Sequence, residues 1–124
     1  MFNLLMLVSA IIFITIDSFY LNIFKGYFFK QIQSVQGTQP KLNFLGAAFC
    51  YIFLIVGLNY FIIKPRKSVN DAFLLGLVIY GVYETTNYAI FDKWSVLTVI
   101  IDTLWGGILF ASTTYIVNSL RYLV

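Results

Sequence analysis

The sequence contains no histidine, one cysteine (Cys50) and two prolines, and its eight basic and five acidic residues make up only 10% of 124. Without histidine there is no zinc site of the usual kind, and a lone thiol closes no internal disulfide. An ordinary soluble domain carries about 25% charged residues, so a water-facing globular surface cannot be built from this chain. Disorder is excluded as well, because disordered chains are polar and poor in aromatics, whereas this one is 60% hydrophobic and 19% aromatic. Glycine-rich phosphate loops, serine-hydrolase elbows and metal-ligand spacings are all missing, and no cofactor is expected. The net charge of +3 is spread over loops, with no basic stripe interleaved with exposed aromatics. Nucleic acid is therefore not an expected partner, whereas the headgroups of membrane lipid suit these lysines. What remains is a single integral membrane domain over residues 1–124, with a mean hydropathy of +0.88.

About 20 largely apolar residues cross the hydrocarbon core as a helix. Four stretches qualify: Phe2–Phe24, Leu42–Ile63, Asp71–Phe91 and Trp94–Ile116. Each is near-continuous Leu, Ile, Val and Phe, not the two-residue alternation of a membrane strand. The expectation is all-α: four transmembrane helices in an antiparallel bundle. Lys64-Pro65-Arg66-Lys67 reads as a sharp stop, since proline disfavours helix at the residue before it and three cations anchor at headgroups. Asp92-Lys93-Trp94 is so short a turn that the third and fourth helices must be antiparallel neighbours. The first segment lacks a basic n-region and a small-x-small cleavage site before Lys25, so it reads as a retained helix rather than a secretory signal. Within Lys25–Lys41, Phe28, Ile32 and Val35 fall at helical spacing with Lys30, Gln31 and Ser34 around the other side. That pattern suggests a short interfacial helix between helices one and two, the alternative being a polar loop. Basic residues tie four against four between the two sides, and the dense Lys64–Lys67 cluster points both termini to the cytosol.

Two of the five acids, Asp71 and Asp92, sit at helix ends. Asp17, Glu84 and Asp102 lie inside apolar segments, where insertion scales place an aspartate at roughly +2.5 to +3.5 kcal/mol. At 1.5 Å per residue, Asp17 lies about 6 Å past the middle of its helix. Glu84 lies about three residues past the middle of helix three and Asp102 about three before the middle of helix four. With alternating helix directions, all three fall at similar depth on one side of the midplane. Tyr80, Glu84, Asn87 and Tyr88 share a face by three- and four-residue spacing, with Tyr83 beside them; Asp102 shares a face with Trp105, and Asp17 with Phe13 and Tyr20. Polar groups face the bundle interior because lipid offers them no partner. The expected ligand-binding set is thus Asp17, Tyr20, Tyr80, Tyr83, Glu84, Asn87, Asp102 and Trp105. No lysine or arginine lies at that depth, so three clustered carboxylates cannot all be ionised: they share protons or bind a cation. A metal held by Asp17, Glu84 and Asp102 would be a hard ion such as Mg²⁺, Ca²⁺ or Na⁺. The alternative is structural, with protonated acids hydrogen-bonded across helices.

Other features read more plainly. Thr103, Gly107 and Ala111, Ala72 with Gly76, and Gly46 with Cys50 form small-residue stripes suited to close helix packing, Cys50 being a small apolar packer. Tyr60, Trp94 and Tyr122 at helix ends read as interfacial anchors.

Tyr83-Glu84-Thr85-Thr86-Asn87-Tyr88-Ala89, then Trp94, then Asp102-Thr103-Leu104-Trp105-Gly106, resemble a small family of membrane proteins catalogued as domain of unknown function 2177. Its members look like four-helix proteins with a Tyr-Asp-x-Thr-Asn motif in helix three and an Asp-x-x-Trp-Gly motif in helix four. An aspartate near the end of helix one is typical, and Asp17 fits it. Glu84 stands where the family has aspartate, and Phe19-Tyr20 stand near where a tryptophan commonly follows the first acid. The resemblance implies the fold and the motif residues, and no catalytic residue or substrate.

Three functions are open at this stage. One is a membrane binding module whose acid pocket holds a proton, a hard cation or a lipid-like ligand. Another is a lipid-modifying enzyme with Glu84 or Asp102 as acid or base, although no nucleophile accompanies them. The last is a structural membrane component of a homo-oligomer or larger membrane-associated assembly. The many Asn, Lys, Ile and Phe residues suggest an AT-rich genome, which would suit the internal membrane of a large virus.

Overall fold

The computed structural model describes residues 3–123. Four helices follow one another: α1 (Leu4–Gln36), α2 (Phe44–Leu58), α3 (Val69–Ile90) and α4 (Val96–Leu120). A π-helical turn, Asn59–Ile63, continues α2, and a 3-10 turn, Arg121–Leu123, ends α4. Three helices are long and apolar enough to cross a membrane: α1, α2 with its π turn, and α4 with its last turn. At 22 residues α3 has the length, but Asn70, Asp71, Glu84, Thr85, Thr86 and Asn87 make it more polar than the others.

Short polar side chains set the starts. Asn3, Asn43, Ser68 and Ser95 each accept a hydrogen bond from the backbone N–H three residues on, at 2.8, 3.0, 3.0 and 3.1 Å. Each thereby satisfies one of the donors that a helix N-terminus leaves free. Caps rather than hydropathy therefore fix these boundaries, a residue or two from where the apolar runs begin. The expected start of the first helix at Phe2 lies outside the described residues.

The sequence expectation fails between the first two helices. No separate interfacial helix exists there; α1 runs unbroken for 33 residues and stops only at Gly37, whose φ of 82° terminates it. No proline or helix-breaking cluster lies between Phe24 and Gln36, so the backbone hydrogen-bond ladder simply continues through the change in polarity. Gln31 is also misassigned by the spacing: it is buried against the start of α4 rather than turned to solvent.

The end of α2 also departs from expectation. Lys64 keeps right-handed helical geometry although proline follows it. The chain reverses one residue after the proline, at Arg66, with φ at 59°. Arg66 N–H donates to Ile63 O at 3.2 Å and Lys67 N–H to Ile62 O at 2.8 Å. This pair of bonds is the Schellman closure, in which glycine usually occupies the left-handed position. An arginine there carries backbone strain of about 1–2 kcal/mol. Upstream, Asn59 uses its side-chain amide to hold the π turn, donating to Ile55 O and across to Ser9 Oγ on α1, both at 2.9 Å.

Packing is uneven. The tightest seam joins α3 and α4, where a Cβ on Gly76 would collide with the Gly106 carbonyl and one on Gly106 with the Tyr80 ring. Gly107 lies against the Phe73 ring. Only glycine lets these backbones approach so closely. Phe13 of α1 then fills the space between α4 and α2, edge-on to Phe110 at 5.5 Å and to Tyr51 at 6.2 Å. The core gathers Phe13, Ile55, Leu58, Ile62, Leu109 and Phe110. By contrast α2 leans mainly on α1 and leaves Phe44, Phe49 and Phe53 bare. Cys50 is exposed on that helix and Gly46 meets only Asn43, so neither belongs to a packing stripe.

Candidate functional site

The face of α1 that carries Phe13, Asp17 and Tyr20 is buried against the other helices, as three- and four-residue spacing requires. Asp17 uses both carboxyl oxygens. Oδ2 accepts from the Tyr51 hydroxyl of α2 at 2.5 Å, and Oδ1 accepts from the Trp105 indole N–H of α4 at 2.8 Å. One turn on, the Tyr20 hydroxyl donates to Asp102 Oδ1 at 3.1 Å. Its ring lies flat on Trp105, with centroids 4.4 Å apart and planes 2° from parallel. Glu84 of α3 is 1% exposed, and its Oε1 accepts from the Trp94 indole N–H at 2.8 Å. The Glu84 and Asp102 carboxyls come within hydrogen-bonding reach of each other. One polar chain thus runs from Tyr51 through Asp17, Trp105, Tyr20, Asp102 and Glu84 to Trp94, drawing on every helix.

Of the eight residues singled out in the sequence, Asp17, Tyr20, Glu84, Asp102 and Trp105 come together. Tyr80 lies one turn below Glu84 with its ring pressed on Gly106. Asn87 is buried on the Glu84 face, but its side chain makes no hydrogen bond to the three acids. Tyr83 points away and is 58% exposed.

Two members escaped the sequence reading. Tyr51 sits in a helix whose pattern is almost uniformly apolar, and only its hydroxyl marks it. Trp94 stands at a helix end, where tryptophan ordinarily marks the headgroup region. Here it is 7% exposed and folds back to close Glu84 off, so it is not an interfacial anchor. Tyr60 and Tyr122 are exposed as anchors should be.

A second polar knot lies beyond the acids. Gln31 accepts from the Ser95 N–H at 2.9 Å and the Thr98 hydroxyl at 2.6 Å, and donates to Lys93 O at 2.7 Å. The Tyr27 hydroxyl joins Thr98 Oγ1 at 2.9 Å. The last third of α1 is thereby latched to the α3–α4 turn and caps the start of α4.

Apart from the approach of Glu84 and Asp102 to each other, the hydrogen-bond partners of the three acids among the described residues are tyrosines and tryptophans. Among the described residues no group of three or more acidic, cysteine or histidine side chains is placed to hold a metal ion. Each Asp17 oxygen accepts one hydrogen bond, from Tyr51 or Trp105. The three carboxyls therefore do not form one coordinating cage. Beside them, α1 and α4 border an open apolar groove of about 450 Å³ that runs over Tyr20 and Trp105 between Ile16, Ile23, Ile101 and Ile108.

No curated protein and no solved structure matches the chain. A family model described as "Predicted membrane protein (DUF2177)" matches residues 2–118, which include all the acids of this site. With that match over nearly its whole length, the chain belongs to the domain-of-unknown-function 2177 family of membrane proteins.

Proposed function

We propose that the protein is a membrane-embedded binding module whose Glu84–Asp102 pair holds a single proton between two carboxyl groups. The observation that carries this reading is the approach of these two acids in a buried pocket whose other donors are neutral. Two ionised carboxylates repel at that separation, and low dielectric strengthens the repulsion. A shared proton converts it into a hydrogen bond between acid and carboxylate. Trp94 and Tyr20 stabilise the single negative charge that remains. In this reading all four helices cross the bilayer as an antiparallel bundle, α3 included, because Glu84 and Asn87 are buried in the interior and the exposed Thr85 returns its hydroxyl to its own helix at Gly81 O. The Lys64–Lys67 cluster supports placing both termini in the cytosol.

The groove over Tyr20 and Trp105 gives the module a lipid-facing ligand surface. It is apolar along its length, so a bilayer acyl chain fits it, with the polar chain just beneath the two rings. Infrared difference spectroscopy on the full chain in liposomes tests the proton directly. At neutral pH the wild type should show a protonated-carboxyl C=O band, lost in both Glu84→Gln and Asp102→Asn. A wild-type protein without that band would sink the proposal.

A further inference from the structure

At the end of the bundle away from the acids, the start of α1, the π turn of α2 and the end of α4 surround a cavity of about 490 Å³. Its polar lining includes Asn3, Asn59, Lys64, Arg66 and Arg121, and its apolar lining includes Leu5, Met6, Val56 and Ile63. Three cations line this space, and among the described residues no carboxylate does. Arg66 and Arg121 are close enough for their charges to act on each other. Like charges gathered around one space attract an anion into it.

Two details indicate that the arginines are deliberately placed. Arg121 is aimed by hydrogen bonds from Nη2 to Ile63 O and Asn118 Oδ1, both 3.1 Å, which leaves Nη1 and Nε for another acceptor. Arg66 occupies the left-handed position of the Schellman turn, where glycine would fit without strain. Strained positions of this kind persist where the side chain has a task. The guanidinium fork matches phosphate oxygens in geometry and charge. The cavity is also roomier than a phosphate group needs, and part of its lining is apolar, in helices built for a membrane.

We propose that this cavity binds the phosphate group of an anionic membrane lipid between Arg66 and Arg121, with the acyl chains leaving along the apolar lining at Met6 and the exposed Val56. Lys64 adds a third positive charge at the mouth. The site is independent of the acid pocket and stands whether or not that pocket holds a proton.

The test uses the full chain in a non-ionic detergent, titrated with short-chain phosphatidylglycerol, phosphatidylcholine of the same chain length, or inorganic phosphate, and read by native mass spectrometry and thermal melting. Phosphatidylglycerol should bind about tenfold or more tighter than phosphatidylcholine, and Arg66→Gly or Arg121→Gln should each weaken it about fivefold. Arg66→Gly is informative because it removes the charge while relieving the turn, so its Tm without lipid should not fall. Lys93→Gln, at the far end, should bind as the wild type does. Equal binding of the two lipids, or full affinity in both arginine variants, would overturn the proposal. So would inorganic phosphate matching phosphatidylglycerol at equal concentration, which would reveal a site for the free anion.

Discussion

Among the described residues, Asp17, Glu84 and Asp102 gather near one end of the helices with no cation among their partners, while Lys64, Arg66 and Arg121 gather at the other with no carboxylate lining their cavity. Both clusters hold one sign of charge, yet they are resolved differently. The acids sit among indole and phenol donors that bond to them from within the protein, which is the setting of the proposed shared proton. The cations line an open space, and the hydrogen bonds of Arg121 within the described residues use Nη2 alone. Burial with internal donors makes a closed centre; exposure without them makes a receptor. The distinction lies in the neighbours and not in the charges.

The largest expected effect comes from separating the helices that bring the acids together. Gly76→Val pushes a side chain into the Gly106 carbonyl and Phe110, and should destabilise the fold by about 3 kcal/mol or more. The infrared carboxyl signal should vanish with it in whatever protein remains folded. A stable variant with the signal intact would show that the acid end does not depend on that seam.

Next is Asp17→Ala, which leaves the buried donors of Tyr51 and Trp105 without an acceptor. Unfolding measured in detergent should show a loss of about 2–3 kcal/mol, and Asp17→Asn, which keeps one acceptor oxygen, should lose less. Equal losses would mean that the charge on Asp17, not its hydrogen bonds, matters. The smallest effect has the opposite sign. Arg66→Gly, without lipid, should stabilise by about 0.5–1 kcal/mol through relief of the left-handed position. A loss of stability there would place the arginine in the internal framework and erase the contrast between the ends.

Much of the acid site is legible in the sequence because the membrane makes it so. An acid inside an apolar helix is expensive enough to stand out, and the rise per residue converts its position to a depth. Asp17, Glu84 and Asp102 are visible for that reason. Tyr51 and Trp94 are not, because aromatics are cheap in a bilayer and their polar atoms matter only once a partner is known. The continuity of α1 is hidden by a change of composition at Lys25 that looks like a boundary although nothing there breaks a helix. Gln31 follows from the same error: once the segment is assigned to the membrane surface, its glutamine is assigned to water. Spacing alone also put Tyr83 beside the pocket, whereas the actual rotation of α3 turns it outward.

The two hydrogen-bonded attachments of α1 set a dimension. Ser9 is tied to Asn59 near one end of the helix, and Gln31 is tied to Ser95 and Thr98 near the other. The helical rise puts these ties about 33 Å apart, close to the roughly 30 Å of the hydrocarbon layer. A rod fastened at both ends over that distance cannot slide or shorten to suit its surroundings. In a thinner or thicker bilayer the lipid must deform or the whole bundle must tilt. The helix therefore carries a fixed length to which a bilayer of another thickness would have to adjust.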